Sequence, residues 1–211
     1  MNEIFDELKT LFNKNNYRLY MIGSTSRDFL LKREIEDYDF VTDATPDEVL
    51  TFLNCNDTFK KYGTLSLKKK GKHVDIVSLR KESAYLDARH PSKIEFIKDI
   101  NEDYKRRDFT INAIYIDEKY HVAEISELGL SDLNNRILRF IGEAQKRVKE
   151  DPLRILRAKR FIVEYNLEVE KETLKALKEN VNLLSLIKEG KILEEKKKFE
   201  KIAKGKHYEF K

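Results

Sequence analysis

Ile22-Gly23-Ser24-Thr25-Ser26-Arg27-Asp28-Phe29-Leu30-Leu31, followed by Glu36-Asp37-Tyr38-Asp39-Phe40, is the stretch on which the reading of this chain turns. Side chains alternate along a strand, so Asp37 and Asp39 emerge on one face and Tyr38 on the other. Two carboxylates held that close repel each other unless a cation lies between them. Mg²⁺ suits the pair, because it completes its shell with water and substrate phosphate. Gly23-Ser24 follows an apolar run and precedes a predicted helix. Glycine there lets backbone N–H groups approach a polyphosphate, and a helix start adds favourable potential. An isolated D-x-D is most often solvated surface charge. A Gly-Ser pair roughly a dozen residues before a strand-borne D-x-D is a sharper pattern, a phosphate cradle beside metal carboxylates, which is the apparatus of nucleotidyl transfer.

Composition sets the outer limits. The chain has 211 residues, 38 % charged and 10 % aromatic, with a formal net charge of +4. That length holds one core plus a small second unit. The modest positive charge permits nucleic-acid binding without establishing it. No apolar stretch is long enough to span a membrane, and no signal-peptide core follows Met1. The single cysteine, Cys55, excludes an intramolecular disulfide and points to a reducing, cytoplasmic setting.

Working outward, residues 2–16 carry Ile4, Phe5, Leu8, Leu11 and Phe12 at helical spacing, which predicts an amphipathic helix. A strand over 17–22 enters the Gly-Ser turn, a helix runs over 26–31, and the D-x-D strand covers about 37–42. Thr45-Pro46-Asp47-Glu48 is a helix start with a capping box. Strands are predicted over 64–69 and 73–79 and near Phe96. Residues 102–113 read as helix and 114–116 as strand. From Leu138 the pattern is helical, over 151–165, 171–179 and 183–204, with Gly190 a weak point.

Two later motifs carry chemistry. In Arg106-Arg107-Asp108-Phe109-Thr110-Ile111-Asn112-Ala113, Asp108 is placed to cap a following helix, with Phe109 and Ile111 turned inward. The arginine forks suit phosphate or ribose, and Asn112 suits a sugar hydroxyl. In Glu150-Asp151-Pro152-Leu153-Arg154-Ile155-Leu156-Arg157, Pro152 fits a helix start with Asp151 at its cap. Asp151 and Arg154 then share a face of the first turn. An Asp there accepts from the exocyclic amine of C or A while Arg donates to the neighbouring ring atom. Both motifs also have a plain structural reading, as capped helices with local ion pairs. Asp75, in Lys72-His73-Val74-Asp75, is either a third active-site carboxylate or a charged edge-strand residue.

Together these blocks resemble the bacterial-type (class II) tRNA nucleotidyltransferases and their poly(A) polymerase relatives, in the polymerase β-like nucleotidyltransferase superfamily. The family usually shows Gly-Gly where this chain has Gly23-Ser24. The resemblance implies an α+β fold, with a polymerase β-like head of mixed sheet and flanking helices over residues 1–137. An all-α, nucleotide-selecting neck follows over 138–211, with the body and tail domains absent.

The resemblance also assigns roles. Asp37 and Asp39 hold two Mg²⁺ ions, and Asp75 is catalytic. Gly23, Ser24 and Arg27 bind the triphosphate, and Arg107, Asp108 and Asn112 the nucleotide sugar region. Glu150, Asp151, Arg154 and Arg157 select CTP and ATP. Asp87 and Arg89 belong to the family's flexible loop, within 79–91. The implied reaction is addition of CMP and AMP to the 3′ end of tRNA. A protein partner or an oligomer is a possible substitute for the missing tail. Poly(A) synthesis, partial CC or A addition, and an inactive RNA-binding module are the alternatives.

Overall fold

The computed structural model describes residues 2–87, 90–123 and 127–203. They form two compact units. One comprises residues 1–83, 93–107 and 111–129, and the other residues 84–92, 108–110 and 130–211.

The first unit is built on a four-stranded sheet, β1 (Leu19–Met21), β2 (Asp37–Thr42), β3 (Thr64–Lys69) and β4 (Lys72–Ser78), in the order β1-β2-β4-β3. The sheet is mixed. β2 runs antiparallel to β1 and parallel to β4, and β3 runs antiparallel to β4. β4 is therefore an interior strand, and the edge-strand reading of Asp75 falls away. A two-residue turn, Lys70 at φ 51 and Gly71 at φ 77, joins β3 to β4. Both residues lie in the left-handed region that a tight hairpin turn demands.

One face of this sheet is apolar. Tyr38, Phe40, Leu65, Val74 and Ile76 are buried there and cluster with Ile4, Phe5, Leu8 and Phe12 of α1 (Glu3–Lys14). Phe5 stacks on Phe40 with ring centroids 5.5 Å apart. α1 is capped by Asn2, whose side chain accepts from the Phe5 amide. α2 (Gly23–Leu30) follows β1 directly, so the helix expected from residue 26 begins at Gly23 itself. α3 (Pro46–Leu50) carries the capping box foreseen at Thr45 and Glu48.

Segments 79–91 and 102–113 depart from expectation. β5 (Arg80–Asp87) and β6 (His90–Phe96) form a two-stranded ribbon where a flexible loop was expected. Arg89 and the side chain of Asp87 lie outside the described residues. α4 (Ile100–Arg106) stops where residues 102–113 read as helix, because Arg107 turns extended at φ −70, ψ 160. Residues 110–112 make only a single 3₁₀ turn. Of the expected strand over 114–116, Ile116 alone pairs, with Met21 and Val122.

The second unit is mainly helical. α5 (Glu127–Asn134) leads into it, followed by α6 (Ala144–Glu150), α7 (Leu153–Tyr165), α8 (Lys171–Glu179) and α9 (Glu189–Ala203). A short parallel pair, β7 (Ile137–Leu138) with β8 (Glu168–Val169), interrupts the all-α pattern. Phe109 stacks on Phe140 at 4.5 Å and meets Phe161 edge-on. The helix expected over 183–204 divides. Residues 181–186 form a 3₁₀ turn, Ile187 is extended, and α9 starts at Glu189. Gly190 thus falls in the first turn of α9, where its poor helix propensity costs little, and not at a kink.

Candidate active site

The face of the sheet opposite α1 is polar, and register dictates what it presents. Asp37 pairs with His73, which pairs with Lys68; Asp39 pairs with Asp75, which pairs with Ser66. Register partners lie about 5 Å apart on one face. Two cross-strand rows result, Asp37–His73–Lys68 and Asp39–Asp75–Ser66, and the D-x-D contributes the first member of each.

Asp39 is fixed from the start of α2. Its Oδ2 accepts from the Ser24 hydroxyl at 2.6 Å and the Ser24 amide at 3.2 Å. Its backbone N–H donates to Thr25 Oγ1 at 2.6 Å. Gly23 sits at φ +62, and a Cβ there would lie 3.0 Å from Asp39 Oδ2. Only glycine meets both the backbone angle and the close approach. Ser24 thus orients a carboxylate with the amide assigned above to phosphate. The carboxylate of Asp37 is exposed and has no partner among the described residues.

Asp75 is held by a single oxygen. Oδ1 accepts from Ser66 Oγ at 2.6 Å and lies 3.1 Å from His73 Nε2. Among the described residues no three Asp, Glu, His or Cys side chains converge as a protein-only metal cage would. Two strand-borne carboxylates with open coordination positions suit Mg²⁺, which takes its remaining ligands from water and phosphate.

Arg27 is buried and bonds through Nη1 to the side-chain oxygen of Asn112. These two predicted site residues therefore meet. Arg107 is partly buried, and its Nε donates to Asp103 Oδ2 at 3.0 Å and to Tyr115 Oη at 2.7 Å. Asp103, which the sequence reading missed, is a hub. It also accepts from Arg106 Nε at 2.7 Å, the Arg80 amide at 3.0 Å and Tyr115 Oη at 2.6 Å. Burial alone would raise its pKa, but the Arg107 and Arg106 charges outweigh burial and hold the carboxyl well below its ordinary range. The same pairing drives Arg107 upward against burial. The i,i+3 and i,i+4 spacing of Asp103 to Arg106 and Arg107 was the available signal.

The chain after Asp108 makes a 3₁₀ turn, Thr110–Asn112, in place of the expected α-helix. The Asp108 carboxylate accepts from the Phe109 amide at 2.8 Å and clamps Arg157, with Nε at 2.8 Å and Nη2 at 2.7 Å. Phe109 and Ile111 are fully buried, as expected.

Just before α7, Asp151 Oδ1 accepts from the Leu153 amide at 3.1 Å, while the cap position expected for Asp151 is taken by Pro152. Arg154 is buried, with Nη1 donating to the Arg147 carbonyl at 2.7 Å and to Glu150 Oε2 at 3.3 Å. Its Nε and Nη2 have no protein partner among the described residues. Glu150 also pairs with Arg147 and so braces Arg154. Glu195 of α9, a second residue missed, is 5 % exposed and bonds Arg160 Nε at 3.0 Å. The lysines around it in sequence hid it.

The Poly A polymerase head domain family matches residues 19–139, and the chain belongs to that family. Within it, the curated relatives are CCA-adding enzymes. That of Staphylococcus haemolyticus is 37 % identical over 85 % of this chain and 46 % of its own length. That of Lactobacillus delbrueckii subsp. bulgaricus is 37 % identical over 98 % and 52 %. The crystal structure of the Bacillus stearothermophilus CCA-adding enzyme in complex with CTP superposes with a TM-score of 0.84 at 32 % identity, covering 94 % of this chain and 49 % of that one. A Thermotoga maritima CCA-adding enzyme complexed with tRNA gives 0.71 at 26 %, covering 93 % and 46 %. The chain spans about half the length of these relatives.

Proposed function

We propose that this chain transfers CMP and AMP from CTP and ATP to the 3′ end of tRNA, completing or repairing its CCA terminus in the cytoplasm. The observation that carries this reading is the D-x-D on the polar sheet face, with Asp39 oriented by Ser24 beside a glycine whose φ of +62 and 3.0 Å approach to Asp39 Oδ2 would strain any larger residue. The attacking 3′-oxygen forms a bond to the α-phosphorus, the bond to the bridging oxygen breaks, and pyrophosphate leaves. Two Mg²⁺ ions fit Asp37 and Asp39 and, when bound, supply charge neutralisation at the phosphates and a more acidic attacking hydroxyl.

The chain's own residues do the rest. Asp75 Oδ2, which has no protein partner among the described residues, receives the proton of the hydroxyl. Arg27, with Asn112 bonded to it, sits beside the triphosphate and ribose, and the hub at Asp103 holds Arg107 rigid toward the same substrate. Asp151 and Arg154 read the base. The bracing of Arg154 by Glu150 and the Arg147 carbonyl points its remaining donors at a base edge. Arg157, clamped by Asp108, supports that helix start. In domain terms, residues 1–137 act as the catalytic head and 138–211 as the selecting neck.

The test is Mg²⁺-dependent extension of three tRNA transcripts, ending before CCA, after C and after CC, with each labelled nucleotide in turn. Ordered addition of C, C and A that then stops, and that is lost in Asp39→Ala and on chelation by EDTA, is the expected result. Unlimited A addition would identify a poly(A) polymerase instead. No incorporation on any transcript would refute the enzymatic reading.

A further inference from the structure

We infer that Ser66 and His73 are positioning residues for the reaction, acting through Asp75. The inference rests on the role proposed for Asp75 and adds what holds that carboxylate in place. Asp75 lies in the same cross-strand row as Asp39, and Ser66 closes that row on the far side. His73 occupies the next row, beside Asp37, and reaches along β4 to Asp75. Ser66 Oγ donates to Asp75 Oδ1 at 2.6 Å, and His73 Nε2 lies within ion-pair distance of the same oxygen at 3.1 Å, which leaves Oδ2 available.

Stability does not explain this arrangement. His73 and Asp75 are 47 % and 34 % exposed at their side chains, and exposed pairs contribute little to folding. A hydrogen bond and an imidazole nitrogen set against one oxygen do something else. They remove the carboxylate's freedom to rotate about its Cβ–Cγ bond and keep a defined oxygen toward the substrate. Such preorganisation acts on the rate, because misplacement of a reacting group is costly even when the group itself is intact. β3 and β4 supply the two groups from a rigid hairpin, so the orientation survives substrate exchange.

The experiment measures kcat and the KM for CTP on a transcript ending after the first C, together with Tm, for Ser66→Ala, His73→Ala, the double variant and Asp75→Asn. Loss of the Ser66 hydrogen bond, or of the His73 contact, corresponds to about a tenfold fall in kcat for each single variant. KM for CTP and Tm should stay close to wild type, and the double variant should approach Asp75→Asn. Ser66→Thr and His73→Gln, which keep a donor at similar reach, should recover most of the rate. If Asp75→Asn is inactive while both single variants and the double variant keep wild-type kcat, the inference is overturned and the role of Asp75 stands. A Tm loss without a kcat loss also overturns it. If Asp75→Asn is fully active, the role of Asp75 fails, and this inference fails with it.

Discussion

Replacing Gly23 with alanine isolates the geometry on which the proposed chemistry depends. Gly23 lies at φ +62, and an L-residue held there costs about 1–2 kcal/mol. For a chain of this size about 1 kcal/mol corresponds to about 2–4 °C in Tm. The backbone term alone therefore predicts a fall of about 2–8 °C. The new Cβ would also press on Asp39 Oδ2 from 3.0 Å, the atom that accepts both Ser24 donors. Something must give by a few tenths of an ångström, and the carboxylate is the softest element present. A displaced catalytic group can cost about 10²-fold in rate. Gly71→Ala supplies the control, since it sits at φ +77 with nothing within 4 Å of its would-be Cβ. Thermal melts and CMP incorporation on a transcript ending before CCA should show similar Tm losses for the two variants, with a rate loss in Gly23→Ala alone. Equal activities in the two variants would refute the argument that Gly23 is required by Asp39.

Asp103→Asn removes the charge that Arg106 and Arg107 share, and loss of one member of a buried pair costs about 3–5 kcal/mol, or about 6–20 °C in Tm. Because the Asp103 carboxyl is held below its ordinary value of 3.8, the folded protein binds fewer protons than the unfolded chain around that pH. Its contribution is full above about pH 5 and lost as pH falls through the folded value. The urea midpoint of Asp103→Asn should accordingly decline less between pH 5 and 3 than that of wild type. Glu195→Gln weakens the bond to Arg160, and hydrogen exchange should rise across α9 while the strands of the sheet keep their protection. Arg154→Lys loses the planar donor fork, and the preference for CTP over UTP, measured as a ratio of kcat/KM, should fall about 10–100-fold.

Much of this architecture is legible from local chemistry. Thr45-Pro46-Asp47-Glu48 announces its helix because cap, proline and return bond all lie within four residues. The D-x-D face follows from strand alternation, and the register of β2 against β4 then brings Asp75 beside Asp39. What escaped depends on contacts that periodicity does not show. Residues 102–113 have helical periodicity, yet the chain turns extended at Arg107, whose side chain bonds Asp103 and Tyr115. Glu195 sits in a lysine-rich run that reads as solvated, and its burial depends on Arg160, thirty-five positions earlier, besides its neighbour Lys198. Gly-Ser reads as a phosphate loop, whereas Ser24 spends its amide and hydroxyl on Asp39, a contact between elements that no local pattern encodes.

The polar sheet face also has an evolutionary consequence. Like charges set directly opposite each other across strands work against folding, and Asp39 faces Asp75 while Asp37 stands one row away. The apolar face packed on α1 holds a hydrophobic cluster that does not involve these aspartates, so selection for stability alone would erode them toward neutral residues. A homologue that had lost catalysis should therefore melt higher and drift first at positions 37 and 39, with its α1-facing residues unchanged.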